Sequence, residues 1–410
     1  MICLSTVSLF AQVAKQPAFT EALIETRSSL VLSNGSLTGT GAEVLSHAIA
    51  SSRFVLLGED HFSREIPQLA SAMCDLIHPD AYVVEAGPDA THFVSGLLNS
   101  SGRIAKMHER DTVHPSNMAF LDIKEENDLA AHCAASSHNP NFELWGLDQE
   151  FVGSAGTLLD AMAAAKPGPQ SRRAIALAQA QDRKAQADAR ASGRVEQLFL
   201  LASTDAELQP LQSAIAADGN DVVRNLLSEL MASRHIYQMH LQGLPGSNMV
   251  RAQLLKRHFM ADYTSFKVRN PEPRIFIKFG GMHTGKGFSF LHQRDLGNFI
   301  AEQADLEQVQ SLHIFAIGAR GVHSYPGDYG RAIVPQPFDL KADPVWSWLT
   351  PALKQELPQQ PKNSNTTFTL FDLRQLRFRD LDLPPEWEHL IYSYDLLVLV
   401  SEFTASTTIQ

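Results

Sequence analysis

The sequence contains few cysteines and no long apolar run, and both absences limit what the protein can be. Its three cysteines, Cys3, Cys74 and Cys133, form no Cys-x-x-Cys pair, so neither a zinc site nor a disulfide framework is indicated. A bridge between Cys74 and Cys133 is compatible with the sequence but is not established by it. No apolar run reaches the roughly 20 residues of a membrane-spanning helix, so we expect no membrane insertion.

Basic stretches and several catalytic motifs are also missing. The chain has 34 basic and 45 acidic residues, a formal charge of −11, and no Lys/Arg-rich stripe, so nucleic acid is not an expected partner. It contains neither Gly-x-Ser-x-Gly nor His-Glu-x-x-His, which argues against a serine hydrolase and a zincin-type protease. Residues 280–286 nearly fit a phosphate-binding loop, but Gly287 stands where Ser or Thr is needed. The expected partner is a small-molecule substrate, and the sequence does not indicate an oligomeric state.

The N-terminal residues 1–14 are uncharged and largely apolar, and Lys15 follows them. This segment resembles the apolar region of a signal peptide, but it lacks the basic residues that usually come first. We interpret residues 1–15 either as the remnant of a signal or as a disordered tail. The first alternative predicts a periplasmic or secreted protein, and the second predicts a cytoplasmic one.

Short apolar runs alternate with helical patterns over residues 16–410, which we interpret as a single domain. The runs that predict strands are 54–57, 81–84, 142–147 and 274–279, with later candidates at 312–317, 367–373 and 396–403. Apolar residues at helical spacing predict a helix over 66–77, and further helices are expected near Glu125 and Ser154. This alternation predicts an α/β fold with a mostly parallel sheet and helices on both faces.

The segment 171–266 differs from its surroundings because it contains no strand pattern. Its Ala- and Gln-rich stretches predict helices, and we interpret it as a helical insertion lying over the sheet. It follows the third predicted strand and returns to the fourth, so it is expected to form a lid or wall of a cleft at the strand ends. The alternative is a plain helical layer with no role in the site.

Four of the predicted strands end in polar residues of catalytic type. In an open parallel sheet, ligands bind outside the carboxyl ends of the strands, so we expect these side chains to meet in one active site. Gly58 and the pair Gly280-Gly281 are expected to let a ligand approach the backbone closely. Each polar residue also has a structural alternative, as a helix cap or a satisfied core residue. The residues are Glu59, His61, Glu85, Asp148, Glu150 and His283.

Histidines beside carboxylates are suited to proton transfer. A histidine oriented by a carboxylate can take a proton from water, while a second histidine or an acid assists the leaving group. The sequence predicts no resident cofactor or metal. The same donors could nevertheless bind a divalent zinc, manganese or iron ion, and the candidate ligands are Glu59, His61, Glu85 and His283.

These segments resemble the erythromycin esterase-like proteins and their relatives, the haem-uptake ChaN-like proteins. The matching segments are 57–65, 84–86, 146–148 and 281–283, and residues 257–261 resemble the family's Arg-x-x-Met-Ala helix. The single residue between Glu59 and His61 is the spacing of the ChaN-like branch. The Gly-x-Asp at 146–148 instead favours the esterase branch.

The resemblance implies a bacterial α/β hydrolase that cleaves an ester, lactone or similar bond without a covalent nucleophile. It implies that His61 activates water, that Glu85 and His283 are also catalytic, and that Glu59 supports them. Candidate substrate contacts are Arg64, Asp148, Glu150, Arg257 and Lys286. Two alternatives use the same site: a haem- or iron-binding protein with a histidine as axial ligand, and a metal-dependent hydrolase or peptidase.

Overall fold

The computed structural model describes residues 18–325, 329, 333–353 and 366–409, so the interpretation of residues 1–15 falls outside them. The helices in these ranges are α1 (Phe19–Glu25), α2 (Thr40–Ala50), α3 (Glu65–Ile77), α4 (Pro88–Ser95), α5 (Arg103–Val113), α6 (Lys124–Ser136), α7 (Ala155–Ala164), α8 (Pro169–Ser192), α9 (Phe199–Ala202), α10 (Asp205–Asp218), α11 (Asp221–Leu241), α12 (Ser247–Lys267), α13 (Leu296–Leu306), α14 (Thr350–Leu353) and α15 (Pro385–Ser393). The strands are β1 (Arg27–Ser33), β2 (Ser36–Thr38), β3 (Phe54–Glu59), β4 (Ala81–Val84), β5 (Glu143–Gly146), β6 (Ile275–Gly280), β7 (Ser311–Gly318), β8 (Arg320–Tyr325), β9 (Val334–Asp339), β10 (Thr366–Asp372) and β11 (Leu396–Val400).

Nine of these strands form one sheet in the order β2-β1-β10-β11-β7-β3-β6-β4-β5. The pairs from β11 to β5 are parallel, whereas β2, β1 and β10 extend the sheet as an antiparallel wing. The predicted α/β fold with a mostly parallel sheet is therefore confirmed. The hairpin of β8 and β9 lies outside this sheet.

Both faces of the central strands are buried, which explains why the strands read as continuous apolar runs. In β3, Phe54 and Leu56 point into a core formed with α12 and α13, while Val55 and Leu57 point into the larger core that contains α2, α3 and α6. The predicted helix over 66–77 is α3, and its apolar stripe is buried in the larger core. Helices on the two faces thus hold the sheet between them, as predicted.

The elements that sequence patterns failed to predict lack a continuous apolar signal. Strand β1 has only two buried residues, Leu30 and Leu32, and three serines, and β2 has three residues. Strand β9 contains Pro335 and Pro337, which oppose a strand assignment unless the strand lies at an edge, as this one does. The predicted strand over 396–403 ends at Val400.

Helices fill the segment 171–266 and divide into two groups by what they contact. Helices α8, α10 and α11 pack with α7 around a core of their own, which includes Leu158, Ile175 and Leu211. Helix α12 instead packs on the sheet through Phe259 and Tyr263. None of the helices in the described ranges is long and apolar enough to cross a membrane.

A disulfide joins Cys74 of α3 to Cys133 of α6. Both cysteines are fully buried in the larger core. The bond connects the helix that follows His61 with the helix that carries Glu126. It therefore links two elements that border the strand ends.

We expect this disulfide to contribute measurably to stability. A cross-link across 59 residues of sequence stabilises by roughly 4 kcal/mol in the chain-entropy model. Cys74→Ser should therefore lower the melting temperature in non-reducing buffer, and reductant should lower that of the wild type but not that of the variant. Titration of thiols in denaturant should find one per chain without reductant and three with it. Three thiols without reductant would show that the bond does not form.

Candidate active site

The four strand ends singled out in the sequence are neighbours in the sheet. Strands β3, β6, β4 and β5 lie side by side in that order, so their carboxyl ends share one edge. Glu59 is the last residue of β3, Glu85 follows β4, Asp148 lies just beyond β5, and His283 follows β6. All four side chains are at most 8% exposed. The topology thus brings these residues together in a buried cluster.

His61 lies between two carboxylates. Its Nδ1 atom is 2.8 Å from Glu59 Oε1, and its Nε2 atom is 3.4 Å from Glu85 Oε2. Burial alone would lower the pKa of His61, but the charge of Glu85 and the hydrogen bonds to both carboxylates outweigh it and raise the pKa to about 10. His61 is therefore an imidazolium at neutral pH in this arrangement.

Glu85 is shared by most of the cluster. Its Oε2 atom accepts a hydrogen bond from the Gly280 backbone N–H at 2.5 Å and faces His61, while its Oε1 atom accepts one from Arg251 at 2.6 Å. Burial would raise the pKa of Glu85, but the positive charges of His61 and Arg251 hold it well below its usual range. Glu85 thus stays ionised and connects the His61 side of the cluster to the His283 side.

Arg251 of α12 is the main contact that the sequence analysis missed. Its guanidinium donates to Glu85, to both carboxylate oxygens of Asp148 and, at 3.0 Å, to His283 Nε2. The predicted contact, Arg257, lies on the same helix but is exposed. Each residue advances about 100° around the axis of an α-helix, so Arg257 lies about 240° around the axis from Arg251 and the two side chains point in different directions. The helix therefore turns Arg251, not Arg257, toward the strand ends.

His283 forms a second histidine–carboxylate pair, with Asp295. The Nδ1 atom of His283 is 3.0 Å from Asp295 Oδ2, and the other oxygen of Asp295 accepts from the Leu296 backbone at the start of α13. Burial would raise the pKa of Asp295, but its hydrogen bond to His283 outweighs burial and lowers it. Because Arg251 can only donate, its contact assigns an unprotonated Nε2 to His283. Asp295 could have been found as the N-cap of a helix that begins shortly after the His283 loop.

Lys278 adds a second buried cation behind His61. Its Nζ atom lies 2.5 Å from Glu59 Oε1 and 2.7 Å from Glu126 Oε1. Burial would raise the pKa of Glu59, but the charge of Lys278 and the contact with His61 lower it. Burial raises the pKa of Glu126 to about 7 despite the opposing charge of Lys278. A lysine inside the apolar strand β6 was the sequence signal for this pair, because a buried ammonium needs a partner.

Two glycines make room for this cluster rather than for a ligand. A Cβ atom on Gly280 would lie 2.7 Å from His61 Nε2, and one on Gly58 would lie 2.2 Å from Thr284 Oγ1. The nearest neighbours of both glycines are therefore the protein's own atoms. These glycines allow the protein's own side chains and the loop after β6 to approach the strand ends.

The other predicted contacts lie outside the cluster. Arg64 is 46% exposed and 3.2 Å from Glu125 Oε1, and Lys286 binds both carboxylate oxygens of Asp395 at 2.9 Å. Glu150 is fully buried against α4, where it accepts a hydrogen bond from the Asp89 backbone N–H at 2.6 Å. Burial and the nearby charge of Asp89 raise its pKa well above the usual range. Only Asp148 of the five predicted substrate contacts joins the cluster.

The four candidate metal ligands already have partners within the protein. Their donor atoms face Arg251, Lys278, Asp295 and one another, and no group of three His, Cys, Asp or Glu side chains in the described ranges is arranged to hold a metal ion. A metal or a haem ligand at His61 or His283 would have to break one of these contacts. The donor set as it stands therefore fits neither group.

No family model and no curated protein matches this chain. Solved structures do. An erythromycin esterase mutant, EreC, in its open conformation superposes with a TM-score of 0.57 at 15% identity, covering 90% of this chain and 95% of that one. The chain has the fold of erythromycin esterase.

Two further solved structures share this fold. A succinoglycan biosynthesis protein matches with a TM-score of 0.57 at 12% identity, over 95% of this chain and 98% of its own. A protein from Bacillus cereus matches with a TM-score of 0.54 at 13% identity, over 96% of this chain and all of its own. At these identities the likeness establishes the fold alone. For the fold, it confirms the resemblance that the strand-end motifs indicated.

We expect Arg251 to be a structural requirement of the cluster. Removing it would leave Glu85 and Asp148 buried beside each other without a shared cation, so Arg251→Ala should lower the free energy of unfolding by roughly 3–5 kcal/mol. The exposed Arg257 on the same helix is the matched control, and Arg257→Ala should change it by less than about 0.5 kcal/mol. Urea denaturation of both variants measures this. Equal effects would refute the assignment of Arg251 as the shared partner.

Proposed function

We propose that the protein is a hydrolase that cleaves an ester or lactone with a histidine-activated water. The observation that carries this proposal is the continuous chain of contacts from Glu59 through His61, Glu85 and Arg251 to His283. It offers one protonated and one unprotonated imidazole at the same sheet edge. An acid and a base at one site can protonate a leaving group and activate a water in the same reaction. The esterase among the structures of this fold is consistent with it.

Water is the proposed nucleophile because of the chemistry of the cluster. The side chains in contact there are carboxylates, imidazoles, one guanidinium and one ammonium. None is the hydroxyl or thiol of a covalent mechanism. Cys74 and Cys133 are oxidised and buried in the core. A direct attack of water on the carbonyl carbon needs a base, an acid and a group that stabilises the oxyanion.

The two histidines divide the acid and base roles. Asp295 orients His283 so that its unprotonated Nε2 faces Arg251, and this nitrogen becomes a base for water once Arg251 turns to the substrate's carbonyl oxygen. Arg251 then stabilises the negative charge on that oxygen. His61, which carries the proton, donates it to the departing alkoxide as the carbon–oxygen bond breaks. The products are a carboxylic acid and an alcohol.

This division reverses the role of His61 that the family resemblance implies. For His61 to activate water, it would first have to lose a proton whose pKa is about 10 in this arrangement. Donation to the leaving group requires no such step. Glu59 supports donation because its hydrogen bond holds the ring with Nε2 directed into the cluster.

Substitution of the two central residues tests the proposal. On an ester identified by screening a panel of small aryl and alkyl esters and lactones, His61→Gln and Glu85→Gln should each lower kcat by roughly 10²–10⁴-fold, the usual contribution of a positioned acid or base. His235→Ala, at an exposed histidine on α11, is the control and should retain wild-type activity. Chelator is added in parallel, because loss of activity with chelator would instead support the metal-dependent alternative.

If both His61→Gln and Glu85→Gln retain wild-type hydrolysis of that ester, the site is not this one. If no ester or lactone is hydrolysed, the proposed reaction is wrong. Binding of haemin with a change in its absorption spectrum would then support the haem-binding alternative.

The pH dependence of kcat/KM shows whether His61 donates or accepts a proton in the reaction. An acid with a pKa of about 10 is active when protonated, so kcat/KM should fall as the pH rises through about 10, after subtraction of spontaneous ester hydrolysis. The residual activity of His61→Gln should lack this fall. If His61 is the base, kcat/KM should instead rise with pH up to the same value. A rise of this kind would restore the role that the resemblance implies.

A further inference from the structure

A phenylalanine covers the imidazole that the proposed reaction uses. Phe120 belongs to the loop 114–123, which connects α5 to α6 across the strand ends. Its ring stacks on His61 with 4.3 Å between ring centroids and 22° between planes, and it also lies 5.5 Å from the ring of Phe62. Neither the sequence motifs nor the proposed chemistry gives this residue a role.

The loop holds Phe120 in place through its flanks. Met118 and Leu121 are buried in the larger core, and the Asn127 side chain donates to the Leu121 carbonyl at 3.0 Å. On the other side, the Ser154 hydroxyl donates to the Asn117 carbonyl at 2.8 Å. The Phe120 carbonyl also accepts a hydrogen bond from the Ile123 backbone N–H at 2.8 Å, so the backbone is held and the Phe120 side chain is the part that can move.

The backbone at this contact is strained on both sides. Phe120 has a φ of +57° and Phe62 a φ of +69°, a region that bulky side chains rarely adopt. Such conformations persist where the surrounding structure enforces them, and they cluster at ligand-binding and switching positions. Two strained phenylalanines therefore meet at the imidazole of His61.

The space at His61 is too small for a substrate while Phe120 is there. The cavity has a volume of about 10 Å³, room for no more than one water molecule, against roughly 300–1,000 Å³ for small-molecule sites. Tyr82, Phe120, Leu121 and the polar residues on the His61 side of the cluster line it. A substrate whose leaving group accepts a proton from His61 must therefore displace the Phe120 ring.

We propose that Phe120 determines substrate specificity by covering His61 until the alcohol part of the substrate takes its place. This inference rests on the proposed ester hydrolysis, in which His61 protonates the departing alcohol. The vacated space has the shape of a ring between His61 and Phe62, so the favoured alcohol carries an apolar or aromatic ring next to the ester oxygen. Such a ring would regain the stacking that Phe120 gives up.

A thiol placed at position 61 tests the cover independently of catalysis. With Cys3→Ser removing the other thiol outside the disulfide, His61→Cys is labelled with a methanethiosulfonate reagent, alone and combined with Phe120→Ala. The second change should raise the labelling rate by at least about tenfold, since a closed segment limits access to its open fraction. Phe378→Ala, at a 95% exposed phenylalanine, is the control and should leave the rate unchanged.

Equal labelling with and without Phe120 would overturn the cover. Phe120→Leu, which keeps an apolar side chain of smaller reach, replaces Phe120→Ala if thermal denaturation shows that the latter is unfolded. This measurement does not need a substrate, so it stands even if no ester is hydrolysed.

Esters of graded size then test specificity. Phenyl acetate and ethyl acetate share the acyl group and differ in the alcohol, so wild type should prefer the phenyl ester by more than the ratio of their spontaneous hydrolysis rates. Phe120→Ala should raise kcat/KM for esters with alcohols larger than phenol and should narrow the preference for phenyl over ethyl. An unchanged ratio of kcat/KM between the esters in Phe120→Ala would overturn the specificity role, whereas failure to hydrolyse any ester would refute the proposed function instead.

Discussion

The sharing of Glu85 between His61 and Arg251 is the interaction on which the rest of the site depends. Burying a lone carboxylate is costly, and two neighbouring carboxylates repel each other unless cations lie between them. Here Arg251 connects Glu85 to Asp148, and His61 connects Glu85 to Glu59. Each buried charge is stabilised by the opposite charge beside it. The cluster is therefore stable as a whole, and the loss of any one member destabilises it.

The sheet topology makes this network possible, and close backbone contacts complete it. Because β6 lies between β3 and β4, the loop that carries His283 leaves the sheet between the strands that supply Glu59 and Glu85. Gly280 has no Cβ, so its backbone N–H can reach Glu85 while His61 passes within contact distance. Lys278 lies two residues before Gly280 in β6. Its side chain points to the opposite face of the sheet from those of Ile277 and Phe279, and its charge neutralises Glu59.

Sequence patterns located the strand-end residues but not the groups that neutralise them. Glu59, Glu85 and His283 could be placed together because a parallel sheet aligns the ends of its strands, and that rule needs only the strand positions. The choice between Arg251 and Arg257 depends on the rotation of α12, which its packing on the sheet determines. In α12 polar and apolar residues are spread around the helix axis, so its sequence pattern does not indicate that rotation. The contact of Arg251 with Glu85 and Asp148 likewise depends on tertiary packing. The motif match therefore selected Arg257, which does not make this contact.

In this structure, groups of the protein itself already contact the reactive nitrogens of both histidines. Arg251 occupies the nitrogen of His283, Glu85 faces the nitrogen of His61, and Phe120 lies on the imidazole ring. In the proposed reaction a substrate binds by exchange: its carbonyl oxygen takes a contact of Arg251, and its alcohol takes the place of Phe120. Exchange replaces contacts of similar kind, so the buried charges keep their partners throughout binding. This requirement makes Arg251 the residue that joins binding to chemistry, because the contact it leaves is the one that frees His283.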